Sequence, residues 1–217
     1  QFWIDVGAGD GNFLQTVSAK KKLGVEISSS GRLFMKEKKI NAIIPQQFLK
    51  LKKLNADVIS FWHSLEHINN PKQYILASFE NLNKNGKLII GIPNIDSLEF
   101  SIFKDNWFHL APNYHLWHFS PISITYMLNN CGFTVKKIDY FSFEHHFAGL
   151  IQSAINLTSY SSDILHKIFK RKSNLSTFSL TDILWCLFWL TFGLPFLILF
   201  FFVAVFTKHS GTIVVLA

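Results

Sequence analysis

Residues 2–14, FWIDVGAGDGNFL, join a short apolar run to a turn punctuated by Gly7, Gly9 and Gly11. The run reads as the first buried strand of a parallel sheet, and the glycines as the bend from it into a helix. Glycine is needed where the backbone turns tightly and a ligand must come closer than a Cβ allows. Amides at the helix N-terminus then face that ligand. A dinucleotide site would place pyrophosphate on those amides, but Asp5 at the strand end and Asp10 inside the loop suit a cation better.

The rest of the chain supplies a regular succession of strand and helix signals. Phe13, Leu14 and Val17 are expected on one face of a helix ending in Lys20, Lys21 and Lys22, followed by a strand that delivers Glu26. An acid about 20 positions beyond such a loop accepts hydrogen bonds from ribose hydroxyls. Residues 31–39 read as a helix and 41–44 as a third strand, with Gln46 and Gln47 just beyond it. Asp57 to Phe61 form the fourth strand; Trp62, His63, Ser64, Glu66 and His67 follow at the edge where open α/β sheets bind ligands. Asn70 and Pro71 open a helix that is expected to stop at Asn85 and Gly86. The fifth strand ends in Pro93 and Asn94 and leads into an aromatic stretch containing Trp107, Tyr114, His115, Trp117, His118 and Phe119. A connection that long and apolar reads as the cover of a binding site. Pro121 begins another helix, Gly132 ends it, and 133–140 read as strand six.

Taken together, Asp5 to Gly11, Leu23 to Glu26, Ala56 to His67 and Gly86 to Asn94 resemble the successive motifs of class I S-adenosylmethionine-dependent methyltransferases, in particular quinone-biosynthesis-like domains. The run His115-Leu116-Trp117-His118-Phe119-Ser120 is similar to one in the same family. The resemblance implies an α/β, Rossmann-like doubly wound sheet, mostly parallel with an antiparallel last strand. It implies S-adenosyl-L-methionine as cofactor, met by Asp5, Gly7, Ala8, Gly9, Gly11, Glu26, Trp62 and His63, with Asp5 and Asp10 placed to meet the ligand's ammonium group. Family members often carry an acid just after the third strand for the adenine amino group; Gln46 and Gln47 stand in its place, either to accept that hydrogen bond through an amide oxygen or as part of a plain loop. Relative to the family, the sequence starts inside the first strand without an initiator Met, as a fragment would.

A second signal interrupts that pattern. Residues 211–217, GTIVVLA, suit the seventh strand, but roughly 70 residues separate them from the sixth. Residues 1–145 with 208–217 are therefore read as the methyltransferase domain, and 146–207 as an apolar helical insert that associates with a membrane. Its first part is amphipathic around Leu150, Ala154 and Ile155, then around Ile164 and Ile168, flanked by Lys167, Lys170, Arg171 and Lys172. Basic amphipathic helices lie in headgroup layers, gaining about 1 kcal/mol per cation near anionic lipid. Ile183 to Thr207 then carry no charge, with Gly193 and Pro195 near the middle. A bent hairpin in one leaflet is expected if strands six and seven share one sheet, because the chain must then return to the side it left; a single span, with the last strand excluded from the sheet, is the alternative. Packing of this run on the protein's own core is disfavoured by its lack of a polar face.

The net charge of +7 alone would admit RNA, but 23 Phe and the uncharged run favour an anionic membrane surface over nucleic acid. Two cysteines, Cys131 and Cys186, are too few for a disulfide framework or a zinc site, which fits a reduced, cytoplasmic setting at the membrane face. Methyl transfer needs alignment and, for a hydroxyl or amine acceptor, a base. His67, His115 and His118 are the candidates, with a small-molecule or lipid-linked acceptor. A membrane-associated binding module with the same fold and no catalysis is the competing class.

Overall fold

The computed structural model describes residues 1–142, 146–169 and 177–217. The chain forms two compact units. One comprises Gln1–Ile92, Pro121–Ile138 and Val214–Ala217; the other comprises Pro93–Ser120 and Asp139–Ile213. The insert expected at 146–207 therefore shares a unit with the aromatic stretch after the fifth strand.

The strands are β1 (Phe2–Val6), β2 (Lys21–Val25), β3 (Asn41–Ile43), β4 (Ala56–Trp62), β5 (Leu82–Pro93), β6 (Lys137–Asp139) and β7 (Thr212–Leu216), in spatial order β3-β2-β1-β4-β5-β7-β6. Parallel pairing links β1 to β2 and β4, β2 to β3, and β4 to β5. Leu88 and Ala217 exchange both backbone hydrogen bonds, the antiparallel pattern. The order reverses between β1 and β4, which opens a crevice at the carboxyl ends of those strands. Ile4, Ile59, Leu88 and Ile90 are fully buried, as expected where helices cover both faces of a sheet.

The first unit's helices are α1 (Asn12–Thr16), α2 (Ser29–Glu37), α3 (Pro45–Phe48), α4 (Pro71–Asn81) and, after the aromatic stretch, α6 (Pro121–Asn129). Ser28 Oγ caps α2 through the Gly31 amide, and Asn70 Oδ1 caps α4 through that of Gln73. Two expected boundaries move. The first helix ends at Thr16 with Val17 extended, and Lys21 and Lys22 begin β2 instead of closing the helix. Helix α4 ends at Asn81, because Leu82 already pairs with Ala56 and the turn at 83–86 lies inside an irregular strand.

In the second unit, α5 (Leu98–Phe103), α7 (Ala148–Thr158), α9 (Leu180–Thr191) and α10 (Leu194–Phe206) enclose a core of Phe103, Trp107, Leu150, Ala154, Leu197 and Phe201, and α8 (Ile164–Phe169) joins a second cluster with Ile155 and Cys186. Two expectations are corrected. Helix α7 is no headgroup helix, since its apolar positions Leu150, Ala154 and Ile155 are fully buried. The α9–α10 pair does pack on protein: Cys186, Leu197, Phe201 and Ala204 face inward although no polar face marks the other side. Lys170, Arg171 and Lys172 lie outside the described residues.

The bend is real and measures 62°. Pro195 stands in the first turn of α10, where a missing N–H costs nothing, so the chain stops and restarts there instead of kinking around a lost bond. A Cβ on Gly193 would come within 2.3 Å of the Trp189 ring, which explains glycine at the break. Among the described residues no single helix is long and apolar enough to cross a membrane; only the bent pair reaches that length and composition.

Candidate functional site

The crevice at the β1/β4 reversal holds a cavity of about 540 Å³, within the range of small-molecule sites. The ends of β1, β2 and β4 supply Gly7, Glu26 and His63 to its wall. Gln46 from α3, His67 after β4, and Gln73 and Tyr74 from α4 complete it.

The three loop glycines have different physical tasks. All have positive φ: +80 at Gly7, +56 at Gly9 and +78 at Gly11. A Cβ on Gly7 would sit 2.3 Å from Ser64 Cβ, and Ser64 Oγ donates to the Val6 carbonyl at 2.6 Å, so Gly7 lets the β4 turn close on β1. A Cβ on Gly11 would meet Met35 Cγ at 2.5 Å, so Gly11 seats α1 on α2. A Cβ on Gly9 meets nothing within 4 Å. The space beside Gly9 is open, so its glycine answers to the left-handed backbone and not to a neighbouring side chain.

Glu26 is buried to 9% exposure and its two oxygens are fixed separately. The Gly9 amide donates to Oε2 at 2.8 Å and the Ser28 amide to Oε1 at 2.7 Å. One carboxylate therefore ties the glycine loop to the N-terminus of α2 while standing on the cavity wall. Each oxygen keeps a lone pair for a hydroxyl donor. Gly31 completes this joint: a Cβ there would lie 2.5 Å from the Gly9 carbonyl oxygen.

Asp5 is set back behind the loop. Its carboxyl, 3% exposed, accepts from Ser60 Oγ at 2.6 Å, and that hydroxyl accepts from Trp3 Nε1 at 2.8 Å. Burial pushes the carboxyl up to about 7; the Ser60 hydrogen bond partly offsets this, and the nearby charge of Glu26 adds to it. Asp10 does not present itself as a free acid for a ligand. Its side chain accepts from Asn12 N at 3.1 Å and Asn12 Nδ2 at 2.7 Å, and pairs with Lys38 at 3.8 Å. Ala8 is buried against the Leu14, Met35 and Ile40 cluster. Trp62 turns its ring onto Phe13, 5.3 Å between centroids, and over Gly91 instead of lining the cavity. Its Nε1 is buried with no hydrogen-bond partner among the described residues.

His63 adopts φ +47, its amide donates to the Gly91 carbonyl at 2.9 Å, and its Nδ1 lies 3.5 Å from Glu66 Oε1. Glu66 is 1% exposed. His67 is exposed on the cavity wall. Of the three candidate bases, it alone belongs to the first unit; His115 and His118 belong to the second. There His115 Nδ1 lies 2.8 Å from the His109 carbonyl oxygen, and the His115 and His118 rings stand 6.2 Å apart. When that contact is an Nδ1–H donation, the neutral His115 ring carries its lone pair on Nε2, the form a base requires.

Sequence reasoning missed Gln73, Tyr74 and Gly31 in the first unit. The spacing of Gln73 and Tyr74 from the capped start of α4 was the available signal. It also missed a buried acid in the second unit. Glu99, fully buried, lies against Nε2 of fully buried His146 and accepts from Trp107 Nε1 at 3.3 Å and the Gly211 amide at 3.1 Å. A lone acid in the run Leu98 to Phe103 was its only trace.

A family model described as a methyltransferase domain matches residues 2–138. No curated protein matches the sequence. Among solved structures, a S-adenosylmethionine-dependent methyltransferase from Archaeoglobus fulgidus is similar with TM-score 0.59 at 16% identity, covering 100% of this chain and 85% of its own. A possible histamine N-methyltransferase from Thermotoga maritima aligns with TM-score 0.54 at 17% identity, covering 66% of this chain and 70% of its own. The [4+2]-cyclase SpnF aligns with TM-score 0.60 at 13% identity, covering 99% and 73%. At such identities the structural likeness speaks for the fold. The glycine loop, Glu26 and the cavity fit S-adenosylmethionine: glycine backbone on the wall, a fixed carboxylate for hydroxyl donors and a space of suitable size. Since the sequence match runs from β1 into β6, the chain belongs to the methyltransferase domain family, with the Rossmann-like fold of the solved methyltransferases.

Proposed function

We propose that this protein transfers the methyl group of S-adenosylmethionine to a small-molecule or lipid-linked acceptor, such as a prenylated ring, at an anionic membrane surface. The observation that carries the transfer is the joint at Glu26, where one buried carboxylate fixes both the glycine loop and α2 and stands with Gly7 on the cavity wall. Glu26 would receive the ribose hydroxyls, and the loop would admit the methionine portion. When bound, the cofactor supplies a methyl on a positively charged sulfur with its leaving group built in. The chain's own task is then to align the acceptor and take its proton. His67 is the base we favour in the first unit, with His115 and His118 as those of the second. The membrane setting is supported by the uncharged run from Ile183 to Thr207.

The experiment is calorimetry with S-adenosylmethionine, paired with turnover of His67→Ala, His115→Ala and His118→Ala. The catalytic base loses turnover by about 10²-fold or more while cofactor affinity stays within about twofold. A histidine whose removal leaves turnover intact is no base. The likeness to SpnF supports a second reading, in which the fold serves something other than methyl transfer. Absence of cofactor binding would select it.

A further inference from the structure

We infer that α9 and α10 form a one-leaflet anchor, seated by their outer face in the acyl region of a single membrane leaflet. This rests on the membrane-surface part of the proposed function and specifies how the second unit would meet lipid. The pair presents an outer face as apolar as its inner one. Leu187, Phe192, Phe196, Leu199 and Phe206 are 53%, 74%, 73%, 64% and 81% exposed. Contiguous apolar surface of this kind marks an interaction site.

The chemistry of that face selects hydrocarbon over a protein partner. A protein interface carries hydrogen-bonding groups among its apolar contacts. Here the hydroxyls are already satisfied: Thr191 Oγ1 donates to the Leu187 carbonyl at 2.7 Å and Thr207 Oγ1 to that of Val203 at 2.8 Å, and Thr181 Oγ1 pairs with Ser179 Oγ at 2.8 Å at the start of α9. Self-satisfied polar groups are what a lipid environment demands. The charges sit only at the ends. Lys208 is exposed directly after α10, and Lys167 lies on α8, which packs on α9 through Ile164, Leu165 and Cys186. Cations so placed suit anionic headgroups.

Geometry selects one leaflet over a span. Helices of 12 and 13 residues are about 18 and 20 Å long, each well short of an acyl core of about 30 Å, and they meet at 62°. Both outer ends are tied to the same unit by polar contacts. Asp182, 1% exposed, accepts from the amides of Tyr160 at 2.9 Å and Ser161 at 3.3 Å. Beyond α10, the His209 carbonyl accepts from the Leu98 amide at 3.0 Å and the Ser210 carbonyl from Asn94 Nδ2 at 2.9 Å. A chain held at both ends in one compact unit enters and leaves on one side.

The test is flotation of the full chain with phosphatidylcholine vesicles, with and without phosphatidylglycerol. The wild type floats, more strongly with the anionic lipid. Phe196→Asp combined with Leu199→Asp lowers the floated fraction at least tenfold, with an unchanged melting temperature and unchanged S-adenosylmethionine affinity. Thr181→Cys and His209→Cys, each in a background lacking Cys131 and Cys186, are both labelled by an impermeant maleimide outside sealed vesicles. Protection of one of these positions means a span and overturns the inference. So does wild-type protein that stays off vesicles as a dimer, its face covered by a second copy. Cofactor binding without flotation refutes the anchor and leaves methyl transfer standing; flotation without cofactor binding does the reverse.

Discussion

The two units dispose of apolar residues in opposite ways. In the first, the β1, β4 and β5 side chains disappear between sheet and helices, and what faces the cavity is mixed: glycine backbone, a carboxylate, amides and imidazoles. In the second, α9 and α10 bury Cys186, Leu197, Phe201 and Ala204 in a core and display most of their other apolar residues. Average hydrophobicity along the chain therefore does not say where a residue goes. Burial follows what lies opposite each position, so an apolar helix without a polar stripe can still have an inside and an outside.

Paired substitutions on α10 would break or sharpen this contrast most strongly. Phe201→Ala should cost about 3–5 kcal/mol, because the ring is 2% exposed and packs on Phe141 and Phe147. Its neighbour Phe202, 44% exposed, should cost less than about 1 kcal/mol in urea unfolding. Equal losses at the two positions would mean that the outer face is also a core.

The buried acid of the first unit gives the next effect. With its carboxyl raised to about 7 in the fold against an ordinary 3.8, Asp5 keeps its proton in the native state where the unfolded chain has released it. Its contribution is complete below the ordinary value and is lost as pH rises through about 7. Asp5→Asn should remove that slope, making the variant more stable than wild type at pH 8 by about 4 kcal/mol, as read from denaturation midpoints across pH. A wild type whose stability is flat across that range would place Asp5 in contact with water.

The smallest effect separates two glycines of one loop. Gly7→Ala should lose about 2–3 kcal/mol, from a left-handed φ and a collision with Ser64. Gly9→Ala should lose about 1 kcal/mol, since its surroundings are open, yet weaken S-adenosylmethionine binding tenfold or more by calorimetry. Comparable stability losses with intact binding in both would make the loop purely structural.

The parts legible in the sequence were those fixed by nearest neighbours along the chain. The β1 run, its glycine turn, Glu26 at the end of β2 and the capped start of α4 were placed correctly, because each depends on local backbone geometry. The break at Gly193 was legible for the same reason. Glu99 and His146 were not, because their partners Trp107 and Gly211 come from distant segments. Asp10 was misread since Lys38, which answers its charge, arrives from the far end of α2. The buried face of α7 was misread because amphipathicity identifies a face and not the material that covers it. Tyr74 joins the cavity through the path of α4, which propensities do not encode.

The contact between Gly31 and the Gly9 carbonyl has a consequence for kinetics of ligand capture. A loop wedged from behind by a helix cannot sample many shapes before its ligand arrives, so little freedom is lost on association. Encounter should then lead to productive docking without a slow rearrangement, and any residue larger than glycine at position 31 would act on the cofactor indirectly, by pushing against the Gly9 carbonyl and the Glu26 side chain.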